Sequence, residues 1–488
     1  MTRERWRARR VLHPVPLGSL ADYVAVGGSA GIETARRLGP DATIGMVVDS
    51  GLRGRGGAGF PVGRKWRTVA DERRRSRIPP VVVVNGAEGE PGTFKDRSII
   101  RNNPYAVIEG AVIASIAVGA SDVIVATKQS FEFEMRRLAG AIAEIAAAGW
   151  STVPIHLFGG PDEYLYGEES ALLECLDGRG PLPRVTPTYR VGLLETRDWR
   201  GDVGPALVNN VESMANIAKI VARGPSWFRR IGTTESPGSI VVTITGDRLQ
   251  HGVAEVRMGT PLRTVVRAIG GDMRSQPAVK AVMSGVANPV LMPDALAAPI
   301  SFEGLRAAGS GLGSAGFIVI DERTDMVAVA AGVARFLAVE SCGQCSPCKH
   351  DGLQLAEILE RLCRNATRCT DLDTIGRLAR SVSYGARCYL GVQHEIVLTS
   401  ILEHFWHEFE GHAQGRVPPV EPHAVAELVD LCGGRATIDT RQLLKQPDWS
   451  RSGAPSGKTP AERRSDIANP ATRVQLRRGT QTEAALDG

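Results

Sequence analysis

Cys342-Gly-Gln-Cys345-Ser-Pro-Cys348 puts three thiols into one compact loop. Thiolates grouped this closely can grip three corners of an iron–sulfur cubane. The fourth corner needs a ligand from elsewhere. Cys388, followed by Tyr-Leu-Gly, lies past two helical stretches that can return the chain to the loop. Zinc is the competing metal, but three close cysteines and one distant one suit a 4Fe-4S cluster better than paired Cys-x-x-Cys knuckles. Four unliganded core thiols are the plain alternative, and the spacing argues against it. Cys175 lies in the apolar stretch ALLECL and reads as a core thiol. Cys363 and Cys369 flank a polar loop, where a second metal is the lesser reading, and Cys432 takes the same plain reading. His350 and His394 are expected on the surface, with a supporting donor role near the cysteines as the alternative.

A second group of residues suits anions. Gly54-Arg55-Gly56-Gly57-Ala58-Gly59 contains G-x-G-x-x-G, but it follows a helical stretch rather than a strand, so the ordinary dinucleotide-binding context is missing. Successive small residues still expose backbone N–H groups as a nest for a phosphate. Arg55 and Lys65 add charge, and Phe60, Pro61 and Trp66 anchor the loop. A polar loop, Asn85-Gly-Ala-Glu88-Gly-Glu90-Pro-Gly-Thr-Phe-Lys-Asp-Arg97, follows the apolar run Val81–Val84. Its carboxylates among glycines suit a hydroxyl-rich ligand such as a ribityl chain or ribose. Gly167-Glu168-Glu169-Ser170 and Asn209-Asn210-Val211-Glu212 have the same loop-to-helix character, which taken singly is more often a helix cap than a site.

The elements that must position these groups follow from periodicity. A helix is predicted over Asp41–Ser50, capped by Asp41. Val81–Val84 reads as a buried parallel strand, with further strands at Asp122–Ala126 and Thr152–Phe158. Helices near Asn103–Val118 and Phe133–Ala148 alternate with them. Residues 41–235 therefore form an α/β layer domain after a basic lead-in over residues 1–40. Residues 236–325 carry short β runs (GSIVVTITG, Gly252–Arg257, Lys280–Met283) around one helix at Leu262–Ile269, a small α+β module. Residues 326–415 are helical, compatible with four helices in a bundle. Residues 416–488 form an extension whose last thirty-odd residues read as disordered.

Composition agrees with a folded multidomain chain: of 488 residues, 43% are hydrophobic and 23% charged, and 55 are glycine. The net charge of +5 is concentrated in arginine runs near the two ends and around residues 73–77. No aromatics interleave with those runs, so a nucleic-acid interface is not expected. The Arg-rich start is not followed by an unbroken apolar stretch, as a signal peptide would require. The apolar stretch from Ala106 to Ala126 contains Glu109, Asp122 and two glycines, and reads as a buried helix running into a strand rather than a membrane span. Clustered cysteines favour a metal in a reducing compartment, so the expected location is cytoplasmic, with any membrane link made through partners.

Taken in order, SGLRGRGGAGFPVGRKW, NGAEGEPGTFKDR, YGEESALL, VNNVES, ESCGQCSPC and the late Cys388 resemble the NADH-oxidising flavoprotein subunit of respiratory complex I and related subunits of NAD-linked hydrogenases and formate dehydrogenases. The resemblance runs from about Gly31 to His412. It implies a Rossmann-like FMN domain, a small ubiquitin-like (SLBB-type) module and a four-helix bundle holding the 4Fe-4S cluster. It further implies FMN phosphate contacts from Gly54, Arg55, Gly56, Gly57 and Lys65. Asn85, Glu88, Gly167, Glu168, Asn209 and Asn210 would hold the ribityl chain and ring, and Phe60, Glu90 and Glu169 would lie near the nicotinamide of NADH. The cluster ligands would be Cys342, Cys345, Cys348 and Cys388.

No side chain need act as acid or base, because a flavin accepts hydride and passes single electrons onward. An electron-accepting iron–sulfur or ferredoxin-like subunit in a hetero-oligomer is the implied partner. The chain departs from the family at Ala87, where a carboxylate is usual, and at Thr68 and Thr186, where the adenine side usually offers an aromatic and a lysine. Tyr189 stands for a phenylalanine. These departures predict weak NADH binding. They leave open an alternative: a flavin and iron–sulfur relay that exchanges electrons with a ferredoxin or another subunit instead of NADH.

Overall fold

The computed structural model describes residues 5–272, 276–451, 457–463, 474 and 476. Most of the terminal stretch expected to be disordered lies outside them.

Four consecutive valines, Val81–Val84, are fully buried, as β-branched residues in a strand covered on both faces must be. They begin β1 (Val81–Gly86), which lies inside a parallel sheet of order β3-β2-β1-β4, with β2 at Asp122–Lys128, β3 at Ile155–Gly160 and β4 at Ala206–Asn210. From β1 the chain builds outward on one side through β2 and β3, then returns to add β4 on the other. The crevice at the carboxyl ends of β1 and β4 is therefore a topological switch point, where open parallel sheets bind ligands. Asn85 and Asn210 face each other in register there. The sequence reading missed β4, because VNN looked like a polar loop.

The helices of this unit are α1 (Leu20–Ala25), α2 (Ala30–Leu38), α3 (Pro40–Ser50), α4 (Val62–Ser76), α5 (Lys95–Asn102), α6 (Pro104–Val118), α7 (Glu132–Ala147), α8 (Glu169–Leu176), α9 (Val211–Arg223) and α10 (Pro225–Arg229). Helix α3 starts at Pro40 behind Gly39, so Asp41 sits in its first turn instead of capping it. Helix α6 is apolar all round because α2, α4, α7 and α9 pack on it, which explains the apolar stretch without a membrane. Its one carboxylate, Glu109, accepts hydrogen bonds from Tyr23 Oη and from the amides of Gly31 and Ile32. The expected lead-in is thereby folded onto the core. Among the described residues no helix is long and apolar enough to cross a membrane.

The middle unit has β5 (Ser239–Gly246), β6 (Gly252–Arg257), α11 (Leu262–Gly270), β7 (Val279–Ser284), α12 (Phe302–Ala307) and β8 (Gly316–Asp321), with sheet order β6-β5-β8-β7. Helices α13 (Met326–Glu340), α14 (Gly352–Cys363), α15 (Asp371–Ser381) and α16 (Tyr389–Ala413) follow. Helix α13 packs on α14 and α16, and α15 packs on the same two. Beyond them, β9 (Leu428–Cys432) and β10 (Arg435–Ile438) form an antiparallel hairpin not expected from sequence.

Candidate functional site

The glycine loop is closed by an antiparallel bridge between Arg53 and Pro61, with Gly54 N donating to Phe60 O at 2.8 Å. Gly57 has φ 124°, a conformation that side-chain-bearing residues rarely adopt, and a Cβ on Gly56 would stand 3.2 Å from Asn210 Cβ. The loop opens on a cleft of about 780 Å³, within the usual range for cofactor sites. Gly54, Gly56, Gly57, Phe60, Lys65, Asn85, Glu88, Glu90, Gly167, Glu168, Glu169, Asn209 and Asn210 all line it.

Arg55 does not line the cleft, and the charge expected there is corrected. Its guanidinium is buried and donates to the carbonyls of Arg53, Pro237 and Ser239, at 3.1, 3.2 and 3.0 Å. Burial lowers its pKa to about 10. Its amide is taken by Ser213 Oγ at 3.0 Å. Lys65 does face the cleft, held by Glu169 at 2.6 Å and by the Val208 carbonyl.

The polar side chains are tied down by contacts within the protein. Asn85 donates to the Gly167 carbonyl at 2.8 Å, and Asn209 accepts from Trp66 Nε1 at 2.8 Å. Glu88 accepts from Asp96 N and Arg97 Nε at 2.9 and 3.0 Å. Glu168 caps α8, accepting from the amides of Ser170 and Ala171, while burial pushes its pKa up. Glu90 accepts from Tyr164 Oη and from Val286 N, and burial raises its pKa as well. Beneath Asn210 lies a buried charge group: Lys95 pairs with Asp96 at 2.6 Å and with Glu212 at 3.2 Å. This buried lysine and its two carboxylates were not among the expected site residues.

The far wall was also missed. Asn288, Phe302, Arg306 and Gly313 come from the middle unit, and Tyr389 and Gln393 from α16. The available signal was the second glycine run, Gly309-Ser-Gly311-Leu-Gly313-Ser-Ala-Gly316. Of the family departures, Ala87 lines the cleft. Thr68 donates to the Arg64 carbonyl at 3.1 Å, and Arg64 lies over the ring of Phe60, a cleft residue, at 5.8 Å. Thr186 and Tyr189 are both exposed.

Cys342, Cys345, Cys348 and Cys388 line one small cavity. Cys342 and Cys348 are buried, the other two half-buried. Arg387 N donates to Cys345 Sγ at 3.3 Å, and Gln344 Nε2 to Cys342 Sγ at 3.5 Å. Buried Lys349 donates to the carbonyls of Ala338, Val339 and Ser341, with its pKa lowered to about 8 by burial. Burial pushes the Cys348 thiol up to about 11 and the Cys388 thiol up to about 12. Thiols raised in this way become thiolates only around positive charge, which is the donor chemistry of an iron–sulfur cluster. Among the described residues no group of three His, Cys, Asp or Glu is placed to hold a single metal ion, the surroundings of Cys363 and Cys369 included. His350 is exposed as expected. His394 is not: it is fully buried, neither ring nitrogen has a partner among the described residues, and its pKa falls to about 3. Leu165, Cys388 and Leu390 line both the cleft and the cysteine cavity, so the two share a wall.

A glycine loop at a parallel-sheet switch point, next to a four-cysteine cavity, is the arrangement of a flavin- and iron–sulfur-dependent oxidoreductase. Residues 47–219 match the Nuo51 FMN-binding domain, and residues 328–412 match the NADH-ubiquinone oxidoreductase-F iron-sulfur binding region. The chain is 36% identical over 421 residues to the second NADH-quinone oxidoreductase F-subunit of Rhizobium meliloti (strain 1021), covering 83% of this chain and 97% of that protein. It is 34% identical over 409 residues to the NADH-quinone oxidoreductase F-subunit of Streptomyces coelicolor, covering 81% and 88%. An NAD+-reducing [NiFe]-hydrogenase in the H2-reduced state is similar in structure, with TM-score 0.70 and 32% identity over 84% of this chain and 68% of that one. The chain belongs to the family of NADH-quinone oxidoreductase F-subunits.

Proposed function

We propose that this protein is an NADH dehydrogenase flavoprotein that passes electrons from NADH by way of FMN to one 4Fe-4S cluster. The observation that carries this reading is the wall shared by the cleft and the cysteine cavity, formed by Leu165, Cys388 and Leu390. Bound FMN supplies hydride acceptance and one-electron release, and the cluster a one-electron store. The chain's own residues bind, orient and exclude water.

Residues 41–235 are the FMN- and NADH-binding domain, 236–325 a ubiquitin-like (SLBB-type) module and 326–415 a four-helix bundle carrying the cluster. Residues 1–40 lead into the first domain, and 416–488 extend from the last. Gly54, Gly56, Gly57 and Lys65 serve the FMN phosphate. Asn85, Glu88, Gly167, Glu168, Asn209 and Asn210 serve the ribityl chain and ring, and Phe60, Glu90 and Glu169 the nicotinamide. Cys342, Cys345, Cys348 and Cys388 hold the cluster. Electrons leave to an iron–sulfur or ferredoxin-like subunit of a hetero-oligomer. The cytoplasm suits the reduced cysteines, and any membrane attachment is through partners.

The test is anaerobic titration with NADH, NADPH and dithionite, following flavin bleaching and the reduced-cluster EPR signal. NADH should reduce both centres. The relay alternative is favoured by Thr68 and Thr186, which offer no stacking plane to an adenine. Reduction by a reduced ferredoxin and never by NADH would establish it.

A further inference from the structure

Three contacts tie the segment Glu427–Asp430 to the back of the polar loop after β1 and its neighbours. Lys128, almost fully buried, pairs with Glu427. Arg97 Nη1 donates to the Leu428 carbonyl, and Arg101 Nη1 to Asp430 Oδ1 at 2.8 Å. Arg97 is the pivot. Its Nε donates to Glu88 Oε2 at 3.0 Å, and its guanidinium lies 4.1 and 4.5 Å from the ring centroids of Phe94 and Phe131. A guanidinium carries its five donors in one rigid plane. The carbonyl that holds Nη1 therefore also sets the angle at which Nε meets Glu88, which lines the cleft. Glu427 Oε2 also lies 3.6 Å from where a Cβ on Gly89, another lining residue, would stand.

Further along, the extension is anchored again. Gln442 and Lys445 donate to Glu340 Oε1 at 2.9 and 2.6 Å, and Glu340 Oε2 accepts from the amide of Tyr164, a residue of the cleft wall. Both anchors lie beyond residue 412, where the matched iron–sulfur region ends.

We infer that this C-terminal segment is a positioning element of the flavin site: β9 orients Arg97, and Arg97 orients Glu88 toward the bound flavin. The inference rests on the assignment of Glu88 to FMN made above.

The experiment uses full-length protein, stripped of FMN and titrated with FMN by fluorescence. Five variants are compared with wild type: Glu88→Gln; Arg97→Lys; the pair Glu427→Gln with Asp430→Asn; the combination of Glu88→Gln with that pair; and Arg416→Ala, an exposed control elsewhere in the extension. Glu88→Gln should weaken binding. The tail pair should weaken it by about tenfold, the worth of one hydrogen bond of about 1.4 kcal/mol. The triple variant should bind no more weakly than Glu88→Gln alone, because the tail acts through that carboxylate. Arg97→Lys should behave as the tail pair does, and Arg416→Ala as wild type. Wild-type affinity in the tail pair, or an effect that adds in full to that of Glu88→Gln, overturns the inference while leaving Glu88 in the site. Wild-type affinity in Glu88→Gln removes Glu88 from the site and the inference with it.

Discussion

Tyr164 Oη donates to Glu90 Oε2 at 2.5 Å and accepts from Gln393 Nε2 at 2.9 Å, so a residue of the cofactor loop is joined to the helix that starts beside Cys388. The Tyr164 ring is fixed edge-on against Phe336, with centroids 5.3 Å apart. Tyr164→Phe keeps that packing and leaves Glu90, among the described residues, with the Val286 amide alone. A hydrogen bond to a charged group is worth about 1.5–3 kcal/mol. We expect the KM for NADH to rise about tenfold while FMN content stays at wild-type level. Steady-state kinetics with ferricyanide as acceptor measures this, and an unchanged KM would show that Tyr164 does not act on the nicotinamide end.

Cys388→Ala removes the one proposed cluster ligand that comes from outside the three-cysteine loop. It should abolish the EPR signal of the reduced cluster and lower bound iron, with FMN retained. An undiminished signal, or zinc found in place of iron, would refute the ligand set.

The cofactor released by acid should run as FMN. The proposed phosphate contacts form one group, at Gly54, Gly56, Gly57 and Lys65, and stoichiometric FAD would refute this. Gly57→Ala imposes a side chain at φ 124°, where strain costs about 1–3 kcal/mol. We expect flavin occupancy after purification to fall about tenfold or more, read from the flavin absorbance.

Thr68 is joined through Arg64 to Phe60, which lines the cleft. An aromatic plane there would stack on an adenine, worth about 1–3 kcal/mol if base stacking on aromatics is a fair measure. Thr68→Phe should lower the NADH concentration for half-maximal flavin bleaching by about tenfold in stopped-flow measurements. Tight NADH binding by the wild type, or no change in the variant, would count against the remote-site argument.

His394 is buried and neutral in the folded chain, with a pKa of about 3 against 6.5 in the open. Its folded pKa is depressed, so the unfolded state binds the extra proton as pH drops below 6.5. Stability is therefore lost as pH falls from about 6.5 toward 3, at about 1.4 kcal/mol per pH unit. His394→Leu should abolish this part of the acid sensitivity. Apparent melting temperatures at pH 7 and pH 5 would diverge for wild type and move together for the variant. Equal acid sensitivity in the two would place the titration elsewhere.

The parts legible in the sequence were those with a local cause. The cysteine spacing, the Val81–Val84 strand and the order of glycine loops and carboxylates needed no long-range information. A nest or a three-thiol loop is built from neighbours in the chain, and a two-sided apolar run announces its own burial. What depended on distant packing was decided only in three dimensions. Arg55 looked like a phosphate ligand, but Pro237 and Ser239 carbonyls from another unit claim its guanidinium. His394 looked like a surface residue, and helix packing around α16 buries it. The strand at Ala206–Asn210 was hidden in a polar stretch because its pairing partner, β1, lies more than a hundred residues earlier. The wall from the middle unit, the joint use of Leu165, Cys388 and Leu390 by two cavities, and the grip of the C-terminal hairpin on Arg97 all bring together residues far apart in sequence. Local pattern determines which groups can do chemistry. Which of them face a common space is determined by the units packed around them, because a buried polar group turns toward whichever partner that packing supplies.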